Sequence, residues 1–389
     1  MDYKAKLKAV GAAVPEIYFP AENVDLTKFS VVACDQYSAQ GEYWDRVKTF
    51  VGNAPSSLEL MMPEAWLGRD KAHENAINGK MEQYLAEGTL RSLGEGMVFL
   101  HRLTTTGWRR GLVLALDLEQ YDFTPGSGTL IRATEMTVVE RLPTRIEIRK
   151  NAPLEMPHIM VLLDDRDNLL MGMLDRDAAK GAPLYNFDLM ENSGHLTGWL
   201  IKDEALFGKI GDVLAALLEK NGTGILYAMG DGNHSFAAAK AHWDNIKAAL
   251  TPEEQETHPA RYGLVELVNL YDEALAFEPI HRLLMNVDGA ALQRELDFDA
   301  ENPPSLQDIQ PKLDAWLKAH PESEIEYIHG ADDCRRLGEK PGNLSIVWDE
   351  FDKNALFTDV AKHGVLVRKT FSMGSAPDKR FYLECRKIK

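Results

Sequence analysis

The sequence predicts a mixed α/β or α+β fold, and three features carry the prediction. Short apolar runs bounded by glycine or polar residues, such as Gly111–Asp117 and Ile225–Met229, have the length and composition of buried strands. Longer stretches with apolar residues three and four positions apart, such as Lys71–Glu87 and Leu306–Ala319, have the spacing of amphipathic helices. The two kinds are interleaved, and at Gly230, Asp231 and Gly232 a strand run passes into an alanine-rich helix through a glycine turn.

Taken in order, Val14–Pro20 reads as an extended, proline-bounded entry. Phe29–Cys34 is expected to be a first buried strand that delivers Asp35, Gln36 and Tyr37 at its C-terminal end. Glu42–Val51 follows as a helix with Tyr43, Val47 and Phe50 on one side. Lys71–Glu87 is a helix presenting Ile77, Met81, Tyr84 and Leu85, stopped at Gly88. Gly96–Leu103 and Trp108–Asp117 read as a strand pair joined by residues 104–107. After the 230–232 turn, Ala237, Ala238, Ala239 and Ala241 favour a helix, with Asn233 or Ser235 expected to cap its first turn. Leu250–Pro259 is acidic and proline-bounded, consistent with a domain boundary or an exposed helix start. Read as a boundary, it separates a core of residues 1–249 from a smaller α/β portion of residues 260–389. That portion holds an apolar strand at Tyr262–Leu270, a helix at Leu306–Ala319, and strands at Glu324–Ile328 and Leu344–Trp348. The closing stretch Val367–Lys389 carries seven basic and two acidic residues, interleaved with Phe371, Phe381 and Tyr382 at strand-like spacing, so it is expected to be folded.

The 389 residues suffice for two domains, and 45% apolar with 26% charged residues is an ordinary globular composition. Cys34, Cys334 and Cys385 are too widely spaced for a disulfide framework or a CxxC metal site, which suits a reducing cytoplasm. No apolar stretch approaches the length of a membrane span or signal core, so neither membrane insertion nor secretion is expected. A formal net charge of −17 argues against non-specific nucleic-acid binding while leaving room for a basic pocket around a small anionic metabolite. An acidic enzyme of this size is often a dimer, so a homodimer is admissible.

The 230–235 turn is where chemistry is expected first. Strand, glycine turn and helix start would gather backbone N–H groups and a partial positive charge at Gly230, Gly232, Asn233 and Ser235, suited to a phosphate or carboxylate. Asp231 and His234 at the same point could hold a metal or move a proton. The same joint occurs in α/β proteins that bind nothing. It lacks the Gly-Lys-Ser/Thr ending of a P-loop and is not a dinucleotide fingerprint. Elsewhere, Arg132, Arg141, Arg145 and Arg149 could clamp a polyphosphate bidentately, or form a solvated ladder with Glu135, Glu140 and Glu147. Asp164 and Asp165 end a strand run and are candidates for Mg²⁺, although paired aspartates also end strands routinely. His158 and His195 are further candidates for the same pocket, against the default of surface histidines. Arg368, Lys369, Lys379 and Arg380 bracket a small-residue turn that includes Ser372 and could bind an anion, or serve only a partner surface.

Asp231-Gly-Asn-His-Ser235 followed by alanines resembles the Asp-Gly-His-His-Arg signature of the family called domain of unknown function 1015. Three further stretches support the likeness: Ile131–Glu135 with its downstream arginines, Phe277–Arg282, and the wording of Arg368–Gly374 and Asp378–Arg386. The signature in turn looks like the loops of the ParB/sulfiredoxin-like superfamily, which includes nucleotide-gated partition proteins, sulfiredoxin and free-serine kinases. Asn233, Ser235 and Thr134 stand where the commoner pattern has His, Arg and His. The resemblance implies a ParB/sulfiredoxin-like nucleotide-binding core enlarged by insertions. It implies ATP/ADP or CTP as nucleotide, with Mg²⁺. It also implies phosphotransfer between that nucleotide and a small hydroxy metabolite, serine and O-phosphoserine being the most specific pair, in a kinase or phosphatase direction. Asp231, Glu135 and His234 would then be catalytic, with Arg132, Arg141, Arg145, His281, Arg282, Arg368, Lys369 and Ser372 on substrate or phosphate. Two other classes stay open: a nucleotide-binding regulatory or scaffold protein, and a metal-dependent hydrolase built on Asp164 and Asp165.

Overall fold

A computed structural model describes residues 2–389 apart from Ala39, Glu140, Arg141, Pro157 and His158, with only the backbone of Asp35. The roles expected of Arg141 and His158 therefore lie outside the described residues. The chain forms two compact units, one of residues 1–275 with 375–389, the other of residues 276–374. No described helix is long and apolar enough to cross a membrane.

The larger unit is built on one mixed sheet. Its strands are β1 (Ala12–Ala13), β2 (Met97–Thr104), β3 (Gly107–Asp117), β4 (Tyr121–Asp122), β5 (Ile131–Arg132), β6 (Met160–Leu163), β7 (Tyr185–Asp188), β8 (His195–Ile201), β9 (Tyr227–Asp231) and β10 (Tyr262–Asn269). They lie in the order β7-β8-β2-β3-β10-β6-β9-β5-β4, with β1 paired to the end of β3. The β7-to-β10 half is antiparallel, whereas β10/β6 and β9/β5 run parallel. Because strand side chains alternate, the cross-strand partners sort into two faces. Val98, Leu100 and Arg102 on β2 share the first face with Val113, Gly111 and Arg109 on β3 and with Glu266 on β10. Phe99, His101, Leu112, Arg110, Leu267 and Trp199 share the second.

The first face meets a core of Tyr43, Trp44, Val47, Met81, Tyr84, Leu154, Phe381, Tyr382 and Leu383. Helix Gly41–Val51 contributes Tyr43, Trp44, Val47 and Val51 to it. Phe50, expected on that face, is 43% exposed, because Trp44 and Val51 fill the inward positions instead. Helix Lys71–Ala86 forms as expected, capped by Asp70 on the His73 N–H. The expected strand at Phe29–Cys34 does not form. Asp25 caps a short helix, Leu26–Phe29, and the buried Val31 and Val32 run on extended with a single bridge, Val32 to Phe381. The Leu250–Pro259 stretch is the exposed helix start: Pro252–Thr257, opened by a Thr251/Glu254 capping box.

The smaller unit is an antiparallel sheet centred on β11 (Phe277–Met285), flanked by β12 (Glu324–His329) and β13 (Asn343–Ile346), with β14 (Phe371–Met373) on the first residues of β11. Helix Leu306–Ala319, capped by Ser305, has the expected bounds and places Ile309 and Leu313 against Leu284, Leu292 and Ile346.

Candidate functional site

Strand β9 slips register between Met229 and Asp231 opposite β6, so Gly230 takes up the slack and turns the chain end outward. Gly232 is left-handed (φ +78°) and starts the helix Asn233–Lys247, with Phe236 N–H bonded to its carbonyl. Glycine suits this position because a β-carbon is strained at that φ. The expected caps are corrected here: Gly232 is the cap residue, without a side-chain cap bond. The Asn233 amide instead donates to the Glu135 carbonyl (3.2 Å) and the Thr137 hydroxyl (3.3 Å), and its oxygen accepts from Tyr121 (3.3 Å). Thr134 donates to the Met229 carbonyl (2.6 Å), and the Val138 N–H donates to His234 Nε2 (3.3 Å). Residues 134–138 are thus strapped along the turn. The neutral His234 ring must carry its proton on Nδ1.

Asp231 is the half-buried centre of the turn. Its Oδ1 accepts the Gly232 N–H (2.8 Å), and its Oδ2 lies 3.3 Å from Lys379 Nζ. Lys379, only 7% exposed, comes from the closing basic stretch and was expected to flank an anion turn rather than to meet Asp231. Its placement has a visible cause. Arg102, fully buried on the first face, donates to the carbonyls of Pro377 and Lys379. Asp378 accepts from the Thr105 N–H (2.7 Å), the Thr105 hydroxyl (2.5 Å) and Ser375 (2.9 Å). Beside this segment the buried Tyr382 phenol is held far above its usual range, first by burial and then by Glu64, Asp231 and Cys34, with Arg145 opposing. Arg145 itself pairs with Glu64.

Beneath the segment runs a fully buried ionic lattice. Glu266 bonds Arg109 (3.1 Å) and lies 3.1 Å from Arg380, which reaches Glu384 (3.3 Å), which accepts from Tyr185 (2.7 Å). Burial alone would raise Glu266, but Arg109, Arg380 and Arg102 outweigh it and keep the carboxyl low. Gly111 makes this possible, since a β-carbon there would sit 2.3 Å from Glu266 Oε1. Arg102 and Arg109 escaped the sequence reading. Their one signal is the cluster of basic residues inside two largely apolar strands, Arg102 beside His101 on β2 and Arg109 beside Arg110 on β3.

The other expected residues disperse. Arg132 is 6% exposed on β5, its guanidinium pKa lowered by burial against the opposing pull of Asp122. Asp165 accepts the N–H groups of Leu169 (2.9 Å) and Leu170 (2.8 Å) with its two oxygens, and Asp164 lies 3.7 Å from Arg166. Among the described residues no group of three or more His, Cys, Asp or Glu is placed to hold a metal. His195 sits on β8, separated from β9 by β2, β3, β10 and β6, and bonds Asp188 (2.6 Å) and Asn186 (2.7 Å). Tyr37 is core, stacked on Tyr43 at 3.7 Å. His281, Arg282, Arg368, Lys369 and Ser372 belong to the smaller unit. There Arg282 is fully buried and donates to Gln310 (2.5 Å) and the carbonyls of Ile280 (2.7 Å), Lys369 (3.0 Å) and Arg368 (2.9 Å). His281 Nδ1 accepts the Trp348 N–H (3.4 Å), and burial lowers its pKa.

Residues 15–353 match the family model described as "Protein of unknown function (DUF1015)". No curated protein matches the chain. Among solved structures, a conserved hypothetical protein from Pyrococcus furiosus is similar at 12% identity, covering 71% of this chain and 95% of that one, with a TM-score of 0.34.

Proposed function

We propose, from the premise that the chain belongs to the DUF1015 family, that it is a cytoplasmic phosphotransfer enzyme acting on a small hydroxy metabolite. Its larger unit would serve as a ParB/sulfiredoxin-like nucleotide-binding core, with serine and O-phosphoserine as the metabolite pair and ATP/ADP or CTP as the nucleotide. One observation supports the reading most directly: Asp231 and the nearly buried Lys379 meet at 3.3 Å at the start of the Asn233–Lys247 helix. Phosphoryl transfer depends on positioning and charge neutralisation more than on covalent chemistry. The helix-start N–H groups and the Lys379 ammonium would take phosphoryl oxygens, with Arg145 as the nearby guanidinium. Asp231 would orient the metabolite hydroxyl and accept its proton while the new P–O bond forms and the phosphoanhydride bond breaks, releasing the nucleoside diphosphate from a triphosphate donor or the monophosphate from ADP. His234, its Nε2 accepting from Val138 and its proton on Nδ1, would donate a hydrogen bond from Nδ1 to a phosphoryl oxygen. The described residues do not build a protein-only Mg²⁺ site. The ion would arrive on nucleotide phosphates with its waters.

The test is ³¹P NMR of the protein with Mg²⁺, offered serine with ATP, ADP or CTP, and separately O-phosphoserine with and without ADP. A new phosphoester or free phosphate resonance is expected, slowed about 10²-fold or more in Asp231→Ala and Lys379→Met. Unchanged spectra in every tube would overturn phosphotransfer and leave the nucleotide-binding regulatory protein as the reading to pursue.

A further inference from the structure

A cleft lies in the larger unit, on the sheet face opposite Arg102, Arg109 and Glu266. It encloses about 330 Å³, at the small end of ligand sites, and its lining includes His101, Trp108, Arg110, Asp175, Asn269 and Asp272. The β2/β3 pair His101 and Arg110 forms one wall, helix Leu169–Asp177 brings Asp175, the end of β10 brings Asn269, and the chain after it brings Asp272. None of these residues belongs to the proposed phosphotransfer site.

The wall is charged but internally balanced. Arg110 NH1 bonds Asp175 Oδ2 (3.0 Å), while its backbone N–H and Nε reach Asp272 Oδ2 (3.2 and 3.4 Å). His101 Nε2 lies 2.8 Å from Asp175 Oδ1. Arg166, also on the lining, stacks over the Tyr271 ring at 5.1 Å. The carboxylates are therefore fixed in place: Asp272 Oδ2 is filled by its two bonds to Arg110, whereas each Asp175 oxygen takes one bond and keeps a further lone pair on a half-buried side chain. Asn168 adds an acceptor: it lines the cleft in a left-handed conformation (φ 53°), and its Oδ1 is buried with no hydrogen-bond partner among the described residues. At the rim stands Trp108, 52% exposed and braced edge-to-face by His195 at 6.0 Å.

An exposed indole above a floor of planar, fork-shaped donors and acceptors suits a ring that is apolar on its C–H face and hydroxyl-rich at its edge. Charge argues the same way. A nucleotide's phosphates would face Asp175, Asp272 and Glu273, whereas an amine or guanidinium would face Arg110 and Arg166. We propose that this cleft is a binding site for an uncharged polyhydroxylated ring, a monosaccharide or the neutral sugar end of a larger molecule, stacked on Trp108 and hydrogen-bonded by Asp175, Arg110 and Asn168.

Saturation-transfer NMR on the full chain tests it, with glucose, galactose and ribose as probes and ATP and agmatine as charged controls. Saturable transfer to the ring C–H protons of at least one sugar is expected. Its affinity should weaken about tenfold or more in Trp108→Ala, whose side chain is exposed, and stay unchanged in Asp231→Ala. Three outcomes would overturn the proposal: no saturable signal from any of the sugars, displacement of a bound sugar by millimolar ATP or agmatine, or equal affinity in a folded Trp108→Ala protein. The unchanged Asp231→Ala arm keeps this site separate from the fate of the phosphotransfer reading.

Discussion

Glu266 is the residue on which the interior of the larger unit depends most. It lies between Arg109 and Arg380 with no exposure, and both guanidinia are themselves buried. Removing one member of a buried charge cluster leaves the others uncompensated in a low-dielectric interior. Glu266→Gln, nearly isosteric, is therefore expected to lower stability by about 3–5 kcal/mol, read as a fall in the urea midpoint with little change in slope. The same lattice reaches the candidate site, because Arg109 holds the Asp378 carbonyl (3.2 Å) and Arg102 the carbonyls on either side of it. Asp231 was legible in the sequence because Asp-Gly after an apolar run is a turn signal with a mechanism. Its partner Lys379, 148 positions downstream, was not. Local patterning marks a basic stretch and leaves open which of its cations turns inward.

At the scale of elements, periodicity predicted well where one segment decides its own fate. Leu306–Ala319 and Lys71–Ala86 match their expected spans because an N-cap, an apolar stripe and a stop are all local. Phe29–Cys34 failed for the complementary reason. A strand needs a neighbour to pair with, and among the described residues this apolar run finds only one bridging residue, Phe381. The turn between β9 and its helix depends on one backbone conformation. Gly232→Ala is expected to cost about 1–2 kcal/mol from the left-handed φ and to move the helix start against Asp231. Gly232→Asn should cost less, since asparagine tolerates that region. Denaturant melts of the two variants, alongside the ³¹P assay, separate loss of stability from loss of positioning.

At the scale of the molecule, pH reports on a buried histidine. His242, 6% exposed on the Asn233–Lys247 helix, is pushed from its ordinary 6.5 down to about 4, first by burial and then by Arg149, Lys389 and His258. In the unfolded chain it takes up a proton near pH 6.5, whereas in the folded chain it resists until about pH 4. Stability from this group is therefore complete above about 6.5 and declines as pH falls toward about 4, by up to about 3 kcal/mol. Urea melts across that window should show the decline in the wild type and a shallower one in His242→Gln.

By itself the sequence determined the α/β class, the glycine turn, the helices Gly41–Val51, Lys71–Ala86, Asn233–Lys247 and Leu306–Ala319, and the place of Asp231, because each rests on interactions within about a dozen residues. Only the tertiary structure decided that residues 375–389 return to the larger unit, that Lys379 meets Asp231, and that Arg282 is bonded to carbonyls of its own unit. These are contacts between distant segments, selected by which buried charge finds which partner. No periodicity or spacing in the chain records that choice.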